Sequence, residues 1–480
     1  MDSGTENLKK ETVKGVVWSA VEKFSTGGVL FLANIILARL LSPRDFGLLA
    51  IISIFVQISQ TFIDSGFSNA LIQKKDRNQT DYSTVFFFNI AISAGFYLLL
   101  YIFAPVIAKF FENEQLTSLT RVVGLNLIIG SLISVHKTRL TVLLCFKLQA
   151  LVTLISAMIS AVISIYLAYR GLGVWSLVLL TLINISLQVI LFYVFVNWHP
   201  SLVFSTASFK RLFSYSSKLL GASLIHLLYR NIYPVVIGKK FSPIELGYFN
   251  GADIYAMYPA TMIGGVISRV AFPIFSRIQD DNVKLRNAYS KYIVFASLII
   301  FPVLIGMMVL AKPLTIWILT DKWLSMVPLL QILCIDWMTD HLCQINLNVL
   351  YVKGRSGLAF KLEVIKKATA IIIFFISINW GIIGVCWGRV IYGVLAIYMN
   401  SFYTKRLIGI SLLQQLNDIA IPLIQAIIMG IFIYFVDKLN ITLKYNLFIS
   451  IISGVFVYIG MIYFTHRGYI KEMLSIFKRL

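Results

Sequence analysis

Of the chain's 480 residues 58% are hydrophobic and only 13% charged, against about 25% charged in ordinary soluble domains. With a mean hydropathy of +0.83, this excludes a soluble globular enzyme and defines a polytopic membrane protein. The net charge of +21 could suggest a nucleic-acid partner, but the placement of the basic residues explains it better.

In chain order, Met1 to Lys14 are polar and lack the short apolar run and small-residue cleavage site of a signal peptide, so the first helix is expected to remain in the mature protein. Fourteen apolar segments follow, most of them about 18–25 residues long. They lie near 14–40, 47–72, 82–108, 117–136, 149–169, 174–196, 216–238, 246–268, 289–311, 326–351, 364–379, 381–403, 419–437 and 447–465. The predicted fold is an all-α integral membrane protein. With the N-terminus inside, the inner segments hold 28 of the 42 Lys and Arg, the outer turns and their flanks 11, and the spans three, Lys23, Arg230 and Arg389. That asymmetry places both termini in the cytoplasm, and no nucleic acid is needed. Cys145, Cys334, Cys343 and Cys386 have neither CxxC nor metal-site spacing and read as small apolar fillers.

One stretch occurs twice. Leu41-Ser42-Pro43-Arg44-Asp45-Phe46-Gly47 is echoed by Phe241-Ser242-Pro243-Ile244-Glu245-Leu246-Gly247, each ending one apolar segment and opening the next. Ser42 and Ser242 are predicted N-caps, with Pro43 and Pro243 at the first helical position, where a missing N–H costs nothing. Asp45 and Glu245 stand where a capping-box acid reaches back. Both are predicted to be structural helix corners, offset by six segments. The duplication predicts two pseudo-symmetric six-helix lobes, 1–200 and 201–410, with two further helices and a tail over 411–480. The inner segment 197–215, with Trp198-His199-Pro200 as interfacial anchor and breaker, reads as the linker between the lobes.

The outer turns are short, and no DxD, HExxH or GxSxG is present. The chain therefore reads as a conduit rather than an enzyme, with no cofactor and no metal expected. Lys14-Gly15-Val16-Val17-Trp18-Ser19, Ala38–Gly47 and Asp64-Ser65-Gly66-Phe67-Ser68-Asn69-Ala70-Leu71-Ile72-Gln73 carry a resemblance, joined more loosely by Phe241–Gly247 and Gly354-Arg355-Ser356. On these residues the chain resembles the Wzx-like polysaccharide flippases of the multidrug/oligosaccharidyl-lipid/polysaccharide exporter superfamily. The resemblance implies two lobes around a central cavity that opens alternately to either side. The cargo it implies is an undecaprenyl-diphosphate-linked oligosaccharide for lipopolysaccharide or exopolysaccharide, moved to the periplasmic leaflet of a bacterial inner membrane. It also implies H+ or Na+ coupling, as in related exporters, and polymerase or export machinery as neighbours.

Ionisable groups inside spans are costly and mark mechanism. Arg230, roughly 15 Å from the outer end of its helix, and Arg389, about 12 Å in, suit a diphosphate. The alternative for Arg230 is an ion pair with Asp253 or another acid. Lys23 either joins them in binding or reaches the inner interface beside Glu22. Asp64 and Asp253 are cavity candidates, with a helix-end or gate contact the alternative for Asp64. Asp336 and Asp340, at i and i+4 in Asp336-Trp337-Met338-Thr339-Asp340-His341, are candidates for the coupling ion. Their alternative is pairing with Arg389 or neighbouring hydroxyls. The scattered amides, among them Asn34, Gln60, Asn126 and Asn184, suit sugar hydroxyls but by default hold helices together. A cation-coupled multidrug exporter of the same architecture is the nearest rival. A membrane glycosyltransferase, polymerase or ligase, or a structural subunit of an export complex, are the others.

Overall fold

The computed structural model describes the backbone of residues 2–64, 67–74, 76–439 and 443–465. It describes the side chains of Trp18 and of residues 21 onward, except 64, 214, 215, 217–219, 221–226, 228–230, 266, 269, 443 and 444. The described residues divide into two compact units, Met1–Gly247 and Tyr248–Leu480.

The first unit runs α1 (Asp2–Leu40), α2 (Pro43–Asp64), α3 (Phe67–Gln73), α4 (Gln79–Phe110), α5 (Gln115–Val142), α6 (Phe146–Tyr169), α7 (Val174–Phe195), α8 (Thr206–Lys240) and the start of α9 (Pro243–Arg277). The second holds the rest of α9, then α10 (Asn282–Val309), α11 (Ala311–Ile318), a 3-10 turn (Asp321–Met326), α12 (Val327–Trp337) and α13 (Asp340–Val352). It continues with α14 (Ser356–Ser377), a 3-10 turn (Ile378–Trp380), α15 (Gly381–Ile408), α16 (Leu412–Asp437) and α17 (Leu443–Thr465). Only helices appear among the described residues, as backbone that must satisfy itself in lipid requires of an open chain.

Eleven helical stretches among the described residues are long and apolar enough to cross a membrane, against fourteen expected. One of them, 356–408, contains α14 and α15, which fold back on one another through the 3-10 turn. The other differences are α8, which is not among the eleven, and the segment 326–351, which is broken. There α12 stops at Trp337 and α13 starts at Asp340, each too short to span alone. Thr339 donates its hydroxyl to the Asp336 carbonyl at 2.8 Å, and its amide does the same at 3.0 Å. Thr339 bonds three rather than four residues back, while Met338 and Thr339 keep right-handed helical dihedrals, so α12 and α13 are separated by a tightened helical turn between the two acids.

The corners form as their residues require. Asp45 accepts from the Ser42 backbone N–H at 2.9 Å and from its hydroxyl at 2.7 Å. At the second corner the Ser242 hydroxyl accepts from the Glu245 N–H at 3.1 Å. Each corner thus forms a different half of the reciprocal capping box. The two copies also meet. A Cβ on Gly47 would run into the Pro243 carbonyl, and a Cβ on Gly247 into the Pro43 carbonyl. The contact is reciprocal, and glycine is the residue that permits backbone to approach backbone this closely.

In the first unit α4 packs on α5 and α1 on α6, with α7 against both α5 and α6. Residues 197–205 are tied to the start of α4. Trp198 is buried and donates its indole N–H to Gln79 Oε1 at 2.7 Å, while Gln79 Nε2 donates to the His199 carbonyl at 2.8 Å. The Ser201 and Ser205 amides donate to Ser83 and Thr84 hydroxyls at 2.9 and 3.1 Å. Trp198 is therefore a packed and satisfied core residue rather than an interfacial anchor, since a buried indole N–H needs its partner. Just below, buried Asp81 holds Lys74, the Ser208 hydroxyl and Arg211, joining the α3–α4 loop to α8.

In the second unit α16 lies along α10, and α17 along α16. A buried polar knot fastens α10 and α16 to α13 and α15. Asn346 Oδ1 accepts from Tyr289 at 2.8 Å and Thr404 at 2.6 Å, Asn346 Nδ2 donates to Gln415 Oε1 at 3.0 Å, and Ser401 donates to that oxygen at 3.0 Å. Four helices, α10, α13, α15 and α16, are joined by five side chains whose polar needs are met by one another.

Candidate functional site

The first unit contains a cavity of 1020 Å³. Its lining follows from helical periodicity. Asn126, Gly130, Ser134, Lys137 and Thr141 recur every three or four residues on α5, as do Leu177, Thr181 and Asn184 on α7, so each set shares one helix face. Thr138 of α5, Asn34 of α1, Gln60 and Thr61 of α2, and Ser68 and Asn69 of α3 complete the polar lining. Among the described lining residues none is acidic, and Lys137 is the one cation. Its ammonium lies 5.9 Å from the centre of the Phe192 ring, a cation–π arrangement.

The amides do two jobs. Asn126 Nδ2 donates to Thr181 Oγ1 at 3.0 Å and Asn184 Nδ2 to Ser160 Oγ at 3.2 Å, so both join helices as expected of intramembrane amides. Both also line the cavity. From sequence alone Asn126 and Asn184 suit sugar hydroxyls but by default fasten helices, and nothing local singles out Lys137, Ser134 or Thr138. The available signal was their common helical spacing.

The second unit brings together three of the predicted site residues. Arg389 on α15 donates to Asp253 Oδ1 of α9 at 2.7 Å and pairs with Asp336 Oδ2 of α12 at 2.6 Å. The Trp337 indole N–H adds a bond to Asp253 Oδ1 at 2.9 Å. The guanidinium also stands over the Trp337 and Phe249 rings, 5.6 and 6.0 Å from their centres. The three charged side chains are 16, 25 and 11% exposed for Arg389, Asp253 and Asp336. This is the pairing weighed as the alternative for Asp336. Asp340, beyond the break, accepts instead from Gln344 Nε2 at 2.6 Å, and buried His341 meets the Ser297 hydroxyl at 2.9 Å.

The remaining predicted residues are placed as follows. Lys23 is exposed on α1, while its neighbour Glu22 accepts from Gln149 at 3.4 Å and Thr153 at 3.3 Å of α6. Arg230 on α8 and Asp64 at the end of α2 have side chains outside the described residues. Ser42, Pro43, Asp45, Ser242, Pro243 and Glu245 form the two corners. No group of three or more His, Cys, Asp or Glu that could hold a metal occurs among the described residues.

A bundle of long apolar helices, with a polar cavity and a partly buried ion-pair cluster, defines a multi-pass membrane protein of transporter type. Residues 36–328 match the family described as "Polysaccharide biosynthesis protein", and the chain belongs to that family. It is 25% identical to the teichuronic acid biosynthesis protein TuaB of Bacillus subtilis, over 95% of this chain and 96% of the other. It is 23% identical to the succinoglycan biosynthesis transport protein ExoT of Rhizobium meliloti, over 98 and 96%. Its fold is similar to that of the lipid II flippase MurJ in an inward closed conformation, with TM-score 0.75 and 17% identity over 95% of this chain and all of that one.

Proposed function

We propose that the chain flips an undecaprenyl-diphosphate-linked oligosaccharide between the two leaflets of a bacterial inner membrane by alternating access, for lipopolysaccharide or exopolysaccharide synthesis. The observation that carries this reading is the polarity of the cavity. Amides and hydroxyls offer both donors and acceptors to sugar hydroxyls, and one cation answers a diphosphate. A cation-coupled drug exporter needs acids where its cargo sits, and the described lining has none. At 1020 Å³ the cavity is at or above the upper end for drug-sized ligands, about 300–1,000 Å³. The relatives' roles in teichuronic acid synthesis and succinoglycan transport, and the flippase fold, support the same reading.

In this reading both termini are cytoplasmic, the lobes 1–200 and 201–410 alternate, and the cargo passes to a polymerase or export machinery. Arg389, Asp253 and Asp336 form one polar element of the path, with Arg230, Lys23 and Asp64 as further contacts. Proton or sodium coupling falls to Asp340 more readily than to Asp336, whose carboxylate Arg389 already holds.

The test uses purified protein in liposomes carrying a fluorescent undecaprenyl-diphosphate trisaccharide, with an impermeant glycosidase outside. Protein-dependent cleavage rising past the outer-leaflet share supports flipping, and imposed proton or sodium gradients then identify the ion. Unchanged cleavage together with efflux of small organic cations moves the chain to the drug-exporter reading.

A further inference from the structure

The chain between α7 and α8 carries an exposed apolar run that its own attachments do not explain. Leu202 is 94% exposed, and Val203 and Phe204 are about half exposed. Looseness is not the cause. The Ser201 and Ser205 amides on either side are bonded to Ser83 and Thr84 of α4. Between them the Val203 amide donates to the Ser201 carbonyl at 2.7 Å, which closes a three-residue turn with Leu202 at its tip. Behind the turn Phe204 and Phe67 pack on the Phe209 ring, with 6.1 and 5.8 Å between centres. These apolar side chains are thus held out on a fixed scaffold.

The level of this turn in the membrane follows from α4. With 32 residues at 1.5 Å each, α4 is about 48 Å long, enough to cross a hydrocarbon layer of about 30 Å and both headgroup layers. Its N-cap Asn78 then lies at the membrane rim. Ser83 and Thr84 lie about 8 Å further in, where headgroups give way to acyl chains. Asp81 lies about 4–5 Å in, among the headgroups, and Arg211 pairs with it at 3.6 Å. On the first turns of α8 Ser208 and Leu212 are buried, while Lys210 and Arg211 are exposed. Buried Lys74 already answers the charge of Asp81, so both cations are in surplus, and the Arg211 side chain is 60% exposed. Cations at headgroup level, beside apolar side chains one step deeper, match the two halves of a phospholipid.

We propose that residues 202–211 form a seat for an anionic phospholipid on the membrane face where α4 begins. Leu202, Val203 and Phe204 enter the top of the acyl layer, and Lys210 and Arg211 meet the headgroup phosphate. The interfacial role expected of Trp198 falls to this turn, and buried Trp198 is part of its footing. None of the seat's residues lines the cavity of the first unit, so the proposal stands apart from the reading of the cargo.

The test places the full chain in liposomes with a fluorophore on Leu202→Cys. Exposed Cys145 is changed to Ser, and the other three cysteines are buried or half-buried. Phosphatidylcholine and phosphatidylglycerol, each with a nitroxide near the top of one acyl chain, are compared as quenchers at equal mole fraction. Both are expected to quench the label, and phosphatidylglycerol more strongly. Lys210→Gln combined with Arg211→Gln should bring the two lipids to parity, losing about 5-fold in preference per charge removed, with quenching by phosphatidylcholine unchanged. Lys210→Gln alone should lose one such step. It leaves Arg211 on Asp81, and so serves if the double variant does not fold. A label quenched by aqueous iodide and by neither lipid overturns the seat and assigns the turn to a protein partner. Equal quenching by the two lipids in the unsubstituted seat, or a preference that survives both substitutions, overturns the anionic headgroup.

Discussion

Replacing Arg389 by Met removes the guanidinium that bridges Asp253 and Asp336, at 2.7 and 2.6 Å. Both carboxylates would be left facing one another in a site where Asp336 is 11% and Asp253 25% exposed. Breaking a buried pair by deleting one partner costs about 3–5 kcal/mol, because the orphaned charge cannot return to water. Two acids depend on one cation here, and the Trp337 bond to Asp253 offsets only part of the loss. For a unit of this size that corresponds to a drop of roughly 10 °C in unfolding midpoint. The triple variant with Asp253→Asn and Asp336→Asn should recover most of it, since a neutral set carries no orphaned charge. The chain supplies its own reporter. Cys334 and Cys386 are buried and Cys343 half-buried, all in the same unit as Arg389, so a thiol-reactive fluorophore lights up as that unit opens. Exposed Cys145 is first changed to Ser to remove the background. An Arg389→Met midpoint equal to wild type would refute the reasoning. So would a triple variant as unstable as the single one, because the cost would then lie in packing rather than charge.

Two further outcomes follow from contacts elsewhere. Gly47→Ala and Gly247→Ala should each lower the yield of monodisperse protein sharply, a cost of about 1–3 kcal/mol or more from overpacking. Their effects should fail to add in the double variant, because both methyls enter one contact; additive losses on size-exclusion yield would mean two independent sites. Gln415→Leu should destabilise the second unit by about 2–4 kcal/mol in the thiol assay by stripping partners from Asn346 and Ser401, and Gln415→Glu should not restore it, since it brings a charge into a fully buried knot.

Much of this architecture is written in short-range pattern. The corners were legible because Ser-Pro-x-acid confines its chemistry to four residues, and the spans because apolar length is itself the constraint a bilayer imposes. That the two corners would dock was not legible: Gly47 and Gly247 read as ordinary turn glycines until the backbone of one lies across the other. The Arg389 cluster joins residues 53 and 136 positions apart, and nothing local says which acid a buried arginine meets. The break at Met338–Thr339 was hidden by the overall hydropathy of 326–351, which is blind to a tightened turn capped by one threonine hydroxyl. The cavity was half visible. Its amides stood out, yet the same residues serve helix packing, and only the shared faces of α5 and α7 separate the two uses.

The docked segment at 197–205 bears on how orientation in the membrane can be mapped. As a polar stretch between long helices it looks like a natural insertion point for an epitope or an enzymatic reporter. Five hydrogen bonds from Trp198, Gln79, Ser201 and Ser205 make it part of the first unit's framework instead, and insertion tolerance depends on such bonding rather than on polarity. A reporter there would pull an indole and two amides off α4, and its silence would record damage rather than sidedness. The turn at Gly171 is exposed, with φ +85° and open space where a side chain would go. It can carry the same insert while α6 and α7 stay paired, so a signal from that site would be a statement about which side of the membrane it faces.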